Sequence, residues 1–223
     1  MSGIVPNGRP TNWRRSVGLT LRLAWLCVGL AGLGVSLALL VKARLGLDPW
    51  DVLNQGIARR LGIQIGWVVD AVGGLVLLAW IPLRQRLGVG TVINVVVVGL
   101  VVNAVLDIMP DPRGMAQRAG FMVAGVVLNG IATGWYIGAG LGPGPRDGLM
   151  TGVVARGHSI RVVRTVIEVS VLVLGFVLGG SVGVGTLAYA LSIGPMVHVF
   201  LPRLSLAAAA DGSQPAKEAP CSA

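Results

Sequence analysis

Leu45-Gly46-Leu47-Asp48-Pro49-Trp50-Asp51 returns later in the chain as Leu141-Gly142-Pro143-Gly144-Pro145-Arg146-Asp147. Identity continues at Leu53/Leu149, Gly56/Gly152 and Arg60/Arg156. Both copies close a long apolar run and open a short segment with a polar face. The shared Leu-Gly-x-x-Pro-x-Asp core is the frame on which the rest of the sequence is arranged.

Each copy reads as a helix start. Asp48 or Gly144 suits the N-cap, where both residue types are favoured. Pro49 or Pro145 follows at the first helical position, where a missing N–H costs nothing. Asp51 and Asp147 fall at the third position, near the positive end of the helix dipole, and are expected to cap their helices. Asp48-x-x-Asp51 is close to a capping box. The plain reading is two helix starts and nothing more. Arg146 resists it, because a cation in the first turn is disfavoured by the dipole. Its counterpart is Trp50. A cation so placed is expected to meet an anion or an acidic side chain. On this reading Arg146→Ala spares stability and abolishes function, whereas Asp147→Ala lowers both.

The surrounding composition defines the solvent. The chain is 54% hydrophobic and 12% charged, with a mean hydropathy of +0.79. Soluble domains carry roughly 25% charged residues, and apolar runs of about 18 or more are membrane spans. The net charge of +9 does not point to nucleic acid, since the Arg and Lys residues lie mostly between apolar runs, as membrane flanks do. Two cysteines, Cys27 and Cys221, form no disulfide framework and no metal spacing. Trp13-Arg14-Arg15 faintly resembles a twin-arginine signal, but the apolar run after it is too long and lacks a small-x-small cleavage site.

Taken in order, residues 1–15 are a polar, disordered cytoplasmic end. Residues 16–110 form a first membrane repeat and 117–202 a second, with Pro110-Asp111-Pro112-Arg113-Gly114 as the break between them. Residues 203–223, rich in Ala, Ser and Pro, are a disordered cytoplasmic tail. The spans are expected at about 17–41, 65–81, 89–109, 119–139, 160–178 and 182–201, with Arg22 snorkelling near the start of the first. After each motif comes a short helix, about half a bilayer long, either interfacial or re-entrant. Gly88-Val89-Gly90-Thr91 opens the third span and Gly183-Val184-Gly185-Thr186 the sixth. That register aligns Asn94 with Tyr189 and Asn103 with His198. The expected fold is therefore an all-α membrane protein of six transmembrane helices, in two three-helix repeats each with a short Gly/Pro-started half-helix. An odd number of spans per repeat makes the repeats inverted, an arrangement common in secondary transporters. Basic residues such as Arg14, Arg15, Arg84, Arg86, Arg146 and Arg203 place both termini inside.

The two motifs, Leu-Gly-x-Asp-Pro-Trp-Asp after the first span and Gly-Pro-Gly-Pro-Arg-Asp-Gly-Leu-Met after the fourth, resemble the YczE/YitT-like family of bacterial integral membrane proteins. The resemblance covers about Trp25 to Leu201. It implies a multi-pass protein of the bacterial cytoplasmic membrane and no settled substrate or reaction.

Ionisable residues inside hydrocarbon are functional candidates, because burying them is costly. Asp70 and Glu168 are the acids within spans. Glu168 has Arg164 at i,i+4, so a pair buried in the bundle is the plain reading. Asp70 has no local partner, and Arg146 is one candidate. His198 is a further candidate, with a hydrogen bond to another helix as its plain reading. Asn94, Asn103 and Asn129 read as interhelical glue. No nucleophile–base set, metallohydrolase pattern or phosphate loop is present, so no enzyme, cofactor or metal is expected. The expected function is a small-molecule permease, its substrate site lined by Asp48, Trp50, Asp51, Arg146 and Asp147 and receptive to an anionic or aromatic group. The alternative is a non-transporting accessory or regulatory membrane protein acting through a protein partner or homo-oligomer.

Overall fold

The structure, a computed structural model, describes residues 18–85, 87–157, 159–204 and 206. The expected disordered N-terminus and nearly all of the tail lie outside these residues. Among the described residues the chain is helical throughout, in eight helices and no strand: α1 (Leu19–Ala43), α2 (Pro49–Leu61), α3 (Ile65–Leu83), α4 (Val89–Ile108), α5 (Met115–Gly138), α6 (Pro145–Val154), α7 (Ile160–Val177) and α8 (Val184–Leu204). Arg203 and Leu204 thus close the last helix rather than open a tail.

Five helices, α1, α3, α4, α5 and α8, are long and apolar enough to cross a bilayer. Their outward faces carry large apolar side chains such as Leu75, Ile81 and Leu191, each at least 60% exposed. Water would not tolerate so many, and lipid does. The fifth expected span, α7, has 18 residues but carries Arg161, Arg164 and Glu168 along its first half, each costly in hydrocarbon.

Local chemistry sets the helix starts as the motifs predict. Asp48 is the N-cap of α2, its carboxylate accepting from the Asp51 N–H, with Pro49 in the first turn. Gly144 is the N-cap of α6 with Pro145 in its first turn, and no side chain caps it. The two short helices have 13 and 10 residues, roughly 20 and 15 Å at 1.5 Å per residue. The start of α2 lies inside the protein, with Trp50, Asp51, Val52 and Asn54 buried, and its end at Arg59–Leu61 is exposed.

Packing repeats between the halves. α1 packs on α5; α1 also packs on α4, and α5 on α8. Each short helix packs on a long helix of the other half, α2 on α7 and α6 on α3. Matched residues make matched contacts. The Gly185 N–H donates to the Leu45 carbonyl (2.8 Å), and the Gly90 N–H to the Leu141 carbonyl (3.1 Å). Arg60 donates to the Val177 carbonyl and Arg156 to the Pro82 carbonyl. Gly46 and Gly142 sit at φ +119° and +135°, a region that favours glycine. A Cβ there would meet Thr186 and Thr91 respectively, within 2.8 Å.

Arg22 corrects its expectation. It does not snorkel; it is buried, and its guanidinium donates to the carbonyls of Ala139 (3.0 Å) and Gly140 (2.7 Å). These are free carbonyls at the C-terminal end of α5, where a cation complements the dipole.

Candidate functional site

The N-termini of α2 and α6 meet. Asp48 Oδ1 holds the Asp51 N–H at 2.6 Å. Its other oxygen, Oδ2, accepts from Arg146 Nη1 at 3.0 Å, while Arg146 Nη2 donates to Asp51 Oδ1 at 2.8 Å. Asn54, one turn on, donates to the same Asp51 oxygen at 3.1 Å. The guanidinium also lies 5.3 Å from the centroid of the Trp50 ring, within reach of the cation–π attraction. The unfavourable position of Arg146 is thereby explained. It meets acidic side chains, as expected, and they belong to the other copy of the motif. A planar fork suits two carboxylates at once.

Of the three motif carboxylates, only that of Asp48 plays the role read from the sequence. Asp48 caps its helix; Asp51 instead serves Arg146 and Asn54. Asp147 also caps nothing among the described residues and accepts from Tyr136 Oη at 2.7 Å. The cap expectation fails because each side chain turns from its own helix end toward a partner on another helix. The backbone of the second motif is held from the first half, by Trp80 Nε1 on the Pro145 carbonyl (3.1 Å) and Thr91 Oγ1 on the Pro143 carbonyl (2.8 Å).

Between the helix starts lies a cavity of about 560 Å³ that draws lining residues from all eight helices. Asp48, Trp50, Asp51, Arg146 and Asp147 all line it, as do Asn94, Glu168 and His198. Asp147 is exposed within it, and the Arg146 side chain keeps 34% of its surface free, against 11% for Asp48 and 9% for Asp51. A space of this size suits a small molecule.

Two expected intramembrane groups lie elsewhere. Asp70 accepts from the Gly99 N–H at 3.0 Å, so its partner is a backbone amide of α4 and not Arg146. Asn103 accepts from the Gly66 N–H at 2.8 Å, in the first turn of α3. Both fasten α3 to α4. Glu168 does pair with Arg164, at 2.8 Å, but the pair is not buried: the two side chains are 34% and 60% exposed. Among the described residues no group of three or more His, Cys, Asp or Glu could hold a metal ion.

Several lining residues escaped the sequence reading. Tyr136 carries no signal of its own in the sequence. Tyr189, which donates to Asn129 Oδ1 at 3.0 Å, had one: it aligns with Asn94, and both members of that pair line the cavity. Asn54 also had one, standing at helical spacing from Asp51.

Residues 20–202 match a family of unknown function, DUF6198. A Haemophilus influenzae protein called only an uncharacterized protein is 44% identical over 79% of this chain and 81% of its own. An uncharacterized membrane protein of Bacillus subtilis, YczE, is 31% identical over 83% of this chain and 87% of its own. No solved structure matches the chain. The likeness to YczE expected from the two motifs is thus found across most of the sequence, and with five bilayer-length apolar helices it makes this a membrane protein. The chain belongs to the DUF6198 family of unknown function.

Proposed function

We propose that the protein is a small-molecule permease of the bacterial cytoplasmic membrane, its substrate site formed where the two Leu-Gly-x-x-Pro-x-Asp motifs meet. The observation that carries the reading is the cavity of about 560 Å³ lined by Asp48, Trp50, Asp51, Arg146 and Asp147. A chain used only as an anchor has no need of a polar cavity between apolar helices, since each buried charge is costly. The protein carries out no chemical step on this reading.

The proposal includes an inverted repeat of six spans with both termini cytoplasmic, α7 being the second span of its half. The matched cross-half contacts support it: Gly185 with Leu45 against Gly90 with Leu141, and Arg60 with Val177 against Arg156 with Pro82. The short helices are re-entrant in this scheme. The buried start and exposed end of α2 favour that over a helix lying at the interface, because backbone breaks at membrane depth survive only when surrounded by protein or water. In α7, Arg164 and Glu168 turn to the cavity, so a charged span avoids hydrocarbon on that face.

The test is flux. Purified protein in proteoliposomes, assayed against a broad metabolite panel, is expected to move at least one compound above empty vesicles, and Arg146→Met is expected to stop it. Absence of flux from folded protein across the panel would sink the reading. Reporter fusions at Pro110–Gly114 and at the C-terminus are expected on opposite sides of the membrane; the same side would remove the inversion.

A further inference from the structure

The sign of charge in the cavity is opposite to what Arg146 alone suggests. Among the described residues four carboxylates line it, those of Asp48, Asp51, Asp147 and Glu168, against the two guanidinium groups of Arg146 and Arg164. The formal balance is two negative. Arg146 is fully answered within the protein: each terminal nitrogen meets a carboxylate, and the plane lies near the Trp50 ring. Arg164 is answered by Glu168. Among the described residues Asp147 receives only the neutral hydroxyl of Tyr136. An anion entering here would face surplus like charge, whereas a cation would offset it.

A second, independent feature asks for a donor. Asn54 is 1% exposed, lines the cavity, and its Oδ1 has no hydrogen-bond partner among the described residues. The amide orientation is set by its Nδ2, which donates to Asp51, so the free atom is the acceptor. Buried acceptors left open carry a desolvation penalty that a donor relieves. Tyr136, Tyr189, Val72, Val76 and Ile193 complete the wall with aromatic and apolar surface.

We propose that the cavity takes a small organic ammonium ion: a cationic N–H head toward Asp147 and Asn54, and an apolar body along the aromatic and valine wall. This deepens the permease reading and rests on it for the purpose of the site.

The experiment uses full-length protein in nanodiscs near neutral pH and two size-matched sets that differ in charge: phenethylamine, 2-phenylethanol and phenylacetate, then butylamine, butanol and butyrate. Calorimetry is expected to show at least one amine binding about tenfold or more tighter than its alcohol, with its acid not binding. Asp147→Asn, which keeps an acceptor for Tyr136, should weaken that amine about tenfold or more. If that variant does not fold, Glu168→Gln, which also removes one negative charge from the wall, should weaken the amine in the same direction. No amine binding, an alcohol or acid that binds as tightly as the amine, or folded variants that bind amine unchanged would overturn the proposal. Flux separates the two readings. Transport of an acid and not of the amines keeps the permease and removes the ammonium site; amine binding with no flux of any panel compound does the reverse.

Discussion

The two motif copies have nearly the same backbone and opposite chemistry. In the first, Asp48 closes its own helix start, and Trp50 and Asp51 are buried beside it. In the second, Gly144 leaves the helix start without a side-chain cap, and Arg146 stands where Trp50 stood. The second copy lends its cation to the first rather than serving itself. A repeated backbone therefore supplies the frame, and the unmatched residues within it supply an asymmetric site. The same contrast appears where the short helices pack. Gly175 of α7 faces the backbone of Val52 and Leu53, whereas Gly148 of α6 faces the indole of Trp80.

Breaking the exchange at Arg146 should have the largest effect. Arg146→Ala leaves two nearly buried carboxylates facing each other, at a cost of about 3 kcal/mol, the low end for a broken buried pair because Arg146 is one-third exposed. The sequence expectation that this change spares stability is thereby replaced. Thermal unfolding in nanodiscs measures the loss. Adding Asp48→Asn and Asp51→Asn to Arg146→Met should recover most of the stability and none of the flux. Recovery of both would mean that the charges are structural only.

The glycine contrast comes next. Gly148→Ala and Gly175→Ala should each cost about 1–3 kcal/mol by overpacking. Trp80→Leu should relieve the first, since a side chain can give way. No single side-chain change should relieve the second, which meets backbone. Equal rescue of both by side-chain trimming would erase this difference between the halves.

Asp147 should matter less for stability than Asp51. Among the described residues it caps nothing and accepts a hydrogen bond only from Tyr136. Asp147→Asn should therefore cost less than about 1 kcal/mol, whereas Asp51→Asn loses charge-assisted bonding to Arg146 and should cost more. Unfolding midpoints that fall equally would restore the capping role read from the sequence.

The smallest effect should come from the exposed pair on α7. Arg164→Gln with Glu168→Gln should change stability by only about 0.3–0.5 kcal/mol, as solvent-screened i,i+4 pairs do. A loss several times larger would place the pair in a drier setting than its exposure indicates.

The repeat, the membrane class and the helix starts were legible in the sequence, because apolar length, Pro at the first helical turn and the N-cap preference are properties of neighbouring residues. Five cavity residues were legible too, through the repeat and through one cation in a position its own helix disfavours. The roles were not. Whether Asp51 caps its helix or grips Arg146, whether Asp70 finds a charge or the Gly99 amide, and whether Arg22 reaches water or the end of α5 all depend on which helix lies opposite. Apolar outward faces do not encode that neighbour, because lipid accepts any of them equally. The order of helices around the cavity, the reach of Tyr136 to Asp147 and the negative balance of the wall were decided only when both halves packed together, since charge balance belongs to the enclosed space and not to any one segment.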